Sequence, residues 1–136
     1  MVKPIVHDPL FLAQKSEPAA ESDMPIALDL LETLMEHRLD CVGMAANMIG
    51  VRKRIIVFSD GGKYITMYNP EIIKKSGEYE AEEGCLSLSG TRKTKRYKFI
   101  TVKYHDEFFK ENKKPFFGWV AQIIQHEIDH CNGILI

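Results

Sequence analysis

"VAQIIQHEIDH" (residues 120–130) is the stretch on which the reading of this chain turns. Its apolar residues recur at helical spacing, and the spacing predicts a helix that starts near Gly118. On that helix His126 and His130 are four residues apart. They lie about 40° apart around the axis and roughly 6 Å along it, so both imidazoles can reach one ion. Glu127 falls on the adjacent flank, where a carboxylate reaches a bound water rather than the ion. Two histidines on a helix can also cap a polar network, so a third ligand is needed to decide the reading.

That ligand is expected upstream, because only six residues follow His130. The best candidate is Cys85 in "EEGCLSLSG" (82–90), where Gly84 and polar neighbours suit an accessible thiolate. Cys41 and Cys131 are weaker candidates. Cys131 follows His130 directly and points elsewhere on the helix, and either thiol can be a small buried side chain.

The rest of the chain frames this site. At 136 residues it is read as one domain, 1–136, able to bury a core. Its formal net charge of −1 gives no general electrostatic case for nucleic acid or an anionic membrane, so direct binding to either is not expected. No apolar run approaches the length of a membrane span, and MVKPIVHDPL lacks the apolar core of a signal peptide. Three cysteines do not make a disulfide framework, which favours a reducing cytoplasm.

Residues 1–22 read as irregular, broken by Pro4, Pro9 and Pro18. A helix is predicted from about Asp23 to Arg38, capped by Ser22 or Asp23, with Pro25 in its first turn. Its apolar face is expected to be Ile26, Leu30, Leu31, Leu34 and Met35. Strands are expected at 54–58, 63–68, near 71–73 and at 97–106, with Gly61–Gly62 as a hairpin turn. The basic run TRKTKRYK (91–98) reads as a solvated turn and edge strand. The fold class is α+β: short, mostly antiparallel strands around a central helix carrying HExxH, with a second, N-terminal helix.

Three blocks in this order, CVGMAANMIG (41–50), EGCLSLSG (83–90) and QHEIDHCNG (125–133), resemble the peptide deformylases. That family carries GxGLAAxQxG, EGCLS and QHExDH. NPEII (69–73) and a strand ending in EEGC resemble its middle section, and the likeness runs from about residue 6 to the end. The resemblance implies one divalent metal on Cys85, His126 and His130, Fe(II) in the cell, with zinc, nickel or cobalt able to substitute. It implies Glu127 as general base and then acid, and the Leu86 N–H as an oxyanion donor. Gly43, Met44, Gly84 and Gln122 would meet the substrate, which would be the formyl-methionyl end of a nascent peptide. A transient ribosome contact is also implied, although the C-terminal docking helix of many members is not part of this chain.

Two positions depart from the family pattern. Cys41 replaces a glycine, and Met48 replaces the glutamine that helps the Leu86 N–H hold the oxyanion. Methionine has no hydrogen to donate, so weakened activity is expected. Asn47 is the neighbouring amide that could stand in. Ser89 replaces a proline, and Gln122 puts a polar group where an apolar methionine pocket is expected. These departures keep two alternatives open: an amide hydrolase for another N-acyl group, and a metal-binding paralogue without catalysis. Intact Glu127 argues against the second. Asp129 faces away from both histidines and is expected to pair with Arg96.

Overall fold

A computed structural model describes residues 1–136. Five strands form one antiparallel meander, in the order β1 (Gly43–Ala45), β2 (Ile55–Asp60), β3 (Lys63–Gly84), β4 (Thr91–His105) and β5 (Glu111–Phe117). Three helices accompany it: α1 (Pro9–Leu12), α2 (Met24–Glu36) and α3 (Gly118–Cys131). No helix is long and apolar enough to cross a membrane. The α+β expectation and both long helices are therefore present.

β2 explains how the layers stack. Ile55, Ile56, Val57 and Phe58 are all fully buried. Successive side chains point to opposite faces, and each face is covered. Ile56 and Phe58 pack with Ala121, Ile124 and Ile128 of α3. Ile55 and Val57 pack with Ala27, Leu30 and Leu34 of α2. A continuous apolar run is what a strand buried on both sides requires.

α2 follows the predicted helix, with Pro25 in its first turn. Asp23 is its N-cap residue, but its side chain makes no capping bond. It accepts from the Ala20 N–H instead, at 2.8 Å. The buried stripe is Ala27, Leu30, Thr33 and Leu34. Met35 is 43% exposed, so the true stripe is rotated from the expected one. The Gly61–Gly62 turn is as read: Asp60 pairs with Lys63, and both glycines take positive φ, 57° and 90°. That pattern is the I′ turn of a two-residue hairpin.

Four expectations need correction. The segments 63–68 and 71–73 belong to one strand that runs on to Gly84. Its register shifts between Tyr68 and Glu71 and again between Ile72 and Lys74, with Asn69 in the left-handed region at φ 54°. Beyond the bulges, residues 74–84 form a two-stranded arm with β4, and opposite charges face each other across it. Glu80 is paired with Lys95 and Glu82 with Lys93, a cross-strand pattern that stabilises an exposed ladder. Residues 91–98, read as a solvated turn and edge strand, are strand throughout, with Arg96 buried among them, and β4 becomes an interior strand where β5 pairs with 99–105. β5 itself was not expected. Its one inward side chain, Phe116, gives no alternation to read, and Pro115 suits a sheet edge. The N-terminal segment is less irregular than its prolines suggest. Leu12 is fully buried, and the Val6 N–H donates to Met48 O at 2.8 Å.

Candidate metal centre and active site

α3 packs against the sheet and delivers His126, Glu127 and His130 to one place. The end of β3 delivers Cys85. The ligand atoms of Cys85, His126 and His130 all lie within 4.8 Å of one another. His126 Nε2 and His130 Nε2 are 3.0 Å apart, and Cys85 Sγ is 3.4 Å from His130 Nε2. A tetrahedral ion with bonds of about 2.0–2.3 Å requires neighbouring donor atoms roughly 3.3–3.6 Å apart. The protein atoms therefore already stand close to the spacing a divalent ion needs.

The protonation pattern agrees. Burial opposes charge on His126, but hydrogen bonding to Cys85 and Glu83 outweighs it and pushes the imidazole up to about 10. Burial and the His126 charge push His130 down to about 3. Without an ion, the two facing imidazoles thus do not both carry charge.

Glu83 orients this cluster, and the sequence reading missed it. Its Oε1 accepts from His126 Nδ1 at 2.8 Å, which leaves Nε2 as the ligand atom. Arg96 holds the same carboxylate in a fork, Nε to Oε2 at 2.9 Å and Nη2 to Oε1 at 2.7 Å. Arg96 Nη1 then bonds Asp129 Oδ2 at 2.7 Å, the expected pair. Burial works against the Glu83 charge, but the His126 and Arg96 hydrogen bonds hold its carboxyl down at about 2. Its position two residues before Cys85 was the available signal. Strand alternation puts side chains 83 and 85 on one face.

Glu127 is 4% exposed, and its Oε1 has no hydrogen-bond partner. Burial pushes its carboxyl up to about 7, suited to taking a proton and returning it near neutral pH. It lies against β1: a Cβ on Gly43 would stand 2.8 Å from Ile123 Cγ2 and 3.0 Å from Glu127 Oε2. Gly43 is therefore required by the close packing of α3 on β1. Gly84 is less constrained, since a Cβ there meets nothing closer than 3.6 Å.

The site opens into a cavity of about 570 Å³ lined by Gly43, Met48, Gly84, Leu86, Gln122 and Glu127 among others. Most of the predicted site residues therefore meet here. Met44 does not. It is fully buried in the second core with α2 and β2, because alternation along β1 turns it away from its neighbour Gly43. The segment 43–50 is extended only through Ala45, and Ala46–Ile49 form a 3₁₀ turn closed by Gly50 at φ 89°. Met48 in that turn is 1% exposed and bridges the second core and the cavity wall. Asn47 does not line the cavity: it is buried and its Nδ2 donates to His130 O at 3.0 Å. The Leu86 N–H, in contrast, has no acceptor within the chain.

The remaining cysteines stand outside this cluster. Cys131 is fully buried in the first core. Cys41 lines the cavity but donates its thiol to Gly43 O at 3.0 Å, and burial pushes it up to about 12. Neither belongs to the convergent donor set.

The chain matches the model of the polypeptide deformylase family over residues 2–136. It is 57% identical to a peptide deformylase of Clostridium beijerinckii over 136 residues, covering all of both chains. Its structure resembles the crystal structure of a peptide deformylase from Legionella pneumophila, with a TM-score of 0.89 and 36% identity, over 99% of this chain and 83% of that one. It also resembles the Met-Ala-Ser-bound class I type b peptide deformylase of Acinetobacter baumannii. There the TM-score is 0.89 and the identity 28%, over 99% of this chain and 97% of that one.

Proposed function

The chain belongs to the polypeptide deformylase family, and from that premise we infer that it removes the N-formyl group from the terminal methionine of nascent peptides. The observation that carries the reading is the convergence of Cys85, His126 and His130 beside a buried, partner-free carboxylate at the head of an open cavity. Three protein donors and room for a fourth make a catalytic metal site rather than a closed structural one.

Members of the family bind a divalent metal. For this chain we assign it to Cys85, His126 and His130, with Fe(II) as the ion in the cell. The same donor set also suits zinc, cobalt and nickel. Bound there, the ion supplies a Lewis acid that acidifies water and polarises the formyl carbonyl.

The chain's own groups do the rest. Glu127 accepts the proton of the attacking water and hands it to the departing amine, which leaves as the peptide N-terminus while the formyl group leaves as formate. The Leu86 N–H is free to donate to the formyl oxygen as that oxygen gains charge. Gly84 leaves the substrate backbone room to approach. Met48 offers no donor, so we propose that deformylation proceeds with weaker oxyanion stabilisation than a glutamine would give. Glu83, held by Arg96, keeps His126 aimed.

The reading carries a cytoplasmic location and a transient ribosome contact, since formylated chain ends emerge there. Turnover of formyl-Met-Ala-Ser against acetyl-Met-Ala-Ser, on anaerobically prepared protein, tests it. Release of formate with little acetate is expected. Preference for the acetyl peptide would point to another N-acyl substrate, and no turnover at full metal loading would point to a binding protein.

A further inference from the structure

The cavity extends past the metal ligands, one helical turn back along α3. There Trp119, Gln122 and Ile123 line it, together with Val42. One turn of helix is about 5.4 Å, close to the reach of an unbranched side chain of methionine length. A peptide held with its formyl carbon at Cys85, His126 and His130 would bring its first side chain toward Gln122, which lines the same cavity.

Gln122 has a hydrogen-bond partner on the neighbouring arm. The Tyr79 hydroxyl, projecting from the arm formed by β3, donates to Gln122 Oε1 at 3.0 Å. Burial raises the Tyr79 pKa, so the phenol keeps its proton. With the carbonyl oxygen engaged, the amide presents its two N–H hydrogens, and no acceptor in the chain takes either. A thioether is a weak acceptor for such a donor. A sulfoxide oxygen, which oxidation of methionine creates, is a strong one. An apolar wall would reject that oxygen by leaving it unpaired, whereas an amide donor pairs it.

We propose that Gln122, oriented by Tyr79, extends this enzyme's substrates to formylated peptides whose first residue is methionine sulfoxide. The inference rests on the deformylase reading. The bond chemistry is the same: water adds its oxygen to the formyl carbon, the C–N bond breaks, formate leaves and the amine takes the proton. The sulfoxide is unchanged, so no oxidant or reductant takes part.

The test compares kcat/KM for formyl-Met(O)-Ala-Ser, formyl-Met-Ala-Ser and formyl-norleucyl-Ala-Ser. Norleucine has the same length as methionine but no acceptor. Gln122→Leu is expected to lower the ratio of sulfoxide to norleucine turnover by about tenfold or more, the usual worth of one buried hydrogen bond. Gln122→Met, of similar volume, serves if the leucine variant fails to fold. Tyr79→Phe is expected to lower the same ratio by a few-fold, because the amide loses its anchor while remaining in the wall. A ratio unchanged or raised in the Gln122 variant overturns the proposal. Wild-type protein that does not turn over formyl-Met-Ala-Ser would instead overturn the deformylase reading itself.

Discussion

Glu127 sets two opposed demands on one carboxyl group. Burial without a partner for Oε1 gives it a pKa of about 7, which suits proton transfer but costs stability once it ionises. The folded pKa lies above the ordinary value of 4.5. The neutral form therefore favours folding, fully so below about pH 4.5, and that contribution is lost as pH rises through about 7. Glu127→Gln stays neutral throughout. In metal-free protein at pH 8 the variant should melt at a higher temperature than the wild type, and the gap should close near pH 4.5 in thermal scans. In metal-loaded protein the same substitution should lower kcat by about 10²–10⁴ while metal content stays full. Met48 is the other residue with a single-site prediction. Met48→Gln should raise kcat more than it changes KM, by at most about 10²–10³. Steady-state kinetics with formyl-Met-Ala-Ser read this out. The thioether also fills the second core, so a drop in melting temperature should accompany the gain. The meeting of His126 and His130 was legible in the sequence, because helical spacing alone brings them together. The placement of Met44 in the core was not, because a three-residue strand offers too little alternation to show which way each side chain points.

At the scale of elements, the arm of β3 and β4 is what the sequence concealed. Residues 74–83 are rich in lysine and glutamate and carry no apolar alternation, because their stabilisation comes from pairing with a strand that begins eight residues further on; only the family pattern, with its strand ending in EEGC, pointed to a strand there. β5 was hidden for a similar reason: an edge strand with Pro115 and one inward phenylalanine carries no period. Yet the arm is where the site is braced. It brings Glu83 to His126 and Arg96 to Asp129, with Arg96 only 4% exposed. The Arg96–Asp129 pair was legible from the family pattern, whereas Glu83 became visible only once the strand placed its side chain. Glu83→Gln should weaken metal affinity by about 10–100-fold, as loss of a carboxylate behind a ligating histidine typically does. Competition against a chelator of known affinity measures it. An affinity within twofold of the wild type would mean that Arg96 and the helix alone hold His126 in place.

For the whole molecule, the α+β class and the two long helices were readable from periodicity, but the order of layers was not. It follows from β2, whose adjacent residues serve two different cores. Both faces being covered makes the central part of the sheet the rigid part. The donor set spans that part unevenly: two ligands lie on α3, and the third sits at the tip of the arm, 45 residues from His130 in the chain. An ion shared by the three would close that long loop as a cross-link does, and closing long loops removes the most freedom from the unfolded chain. The metal would then act as a detachable fastener between arm and helix. Chelation should lower the melting temperature, and backbone amides of residues 78–84 and 91–97 should exchange with deuterium markedly faster while those of β2 keep their protection. Metal supply would in that way govern how often the substrate groove comes apart, as well as whether it can react.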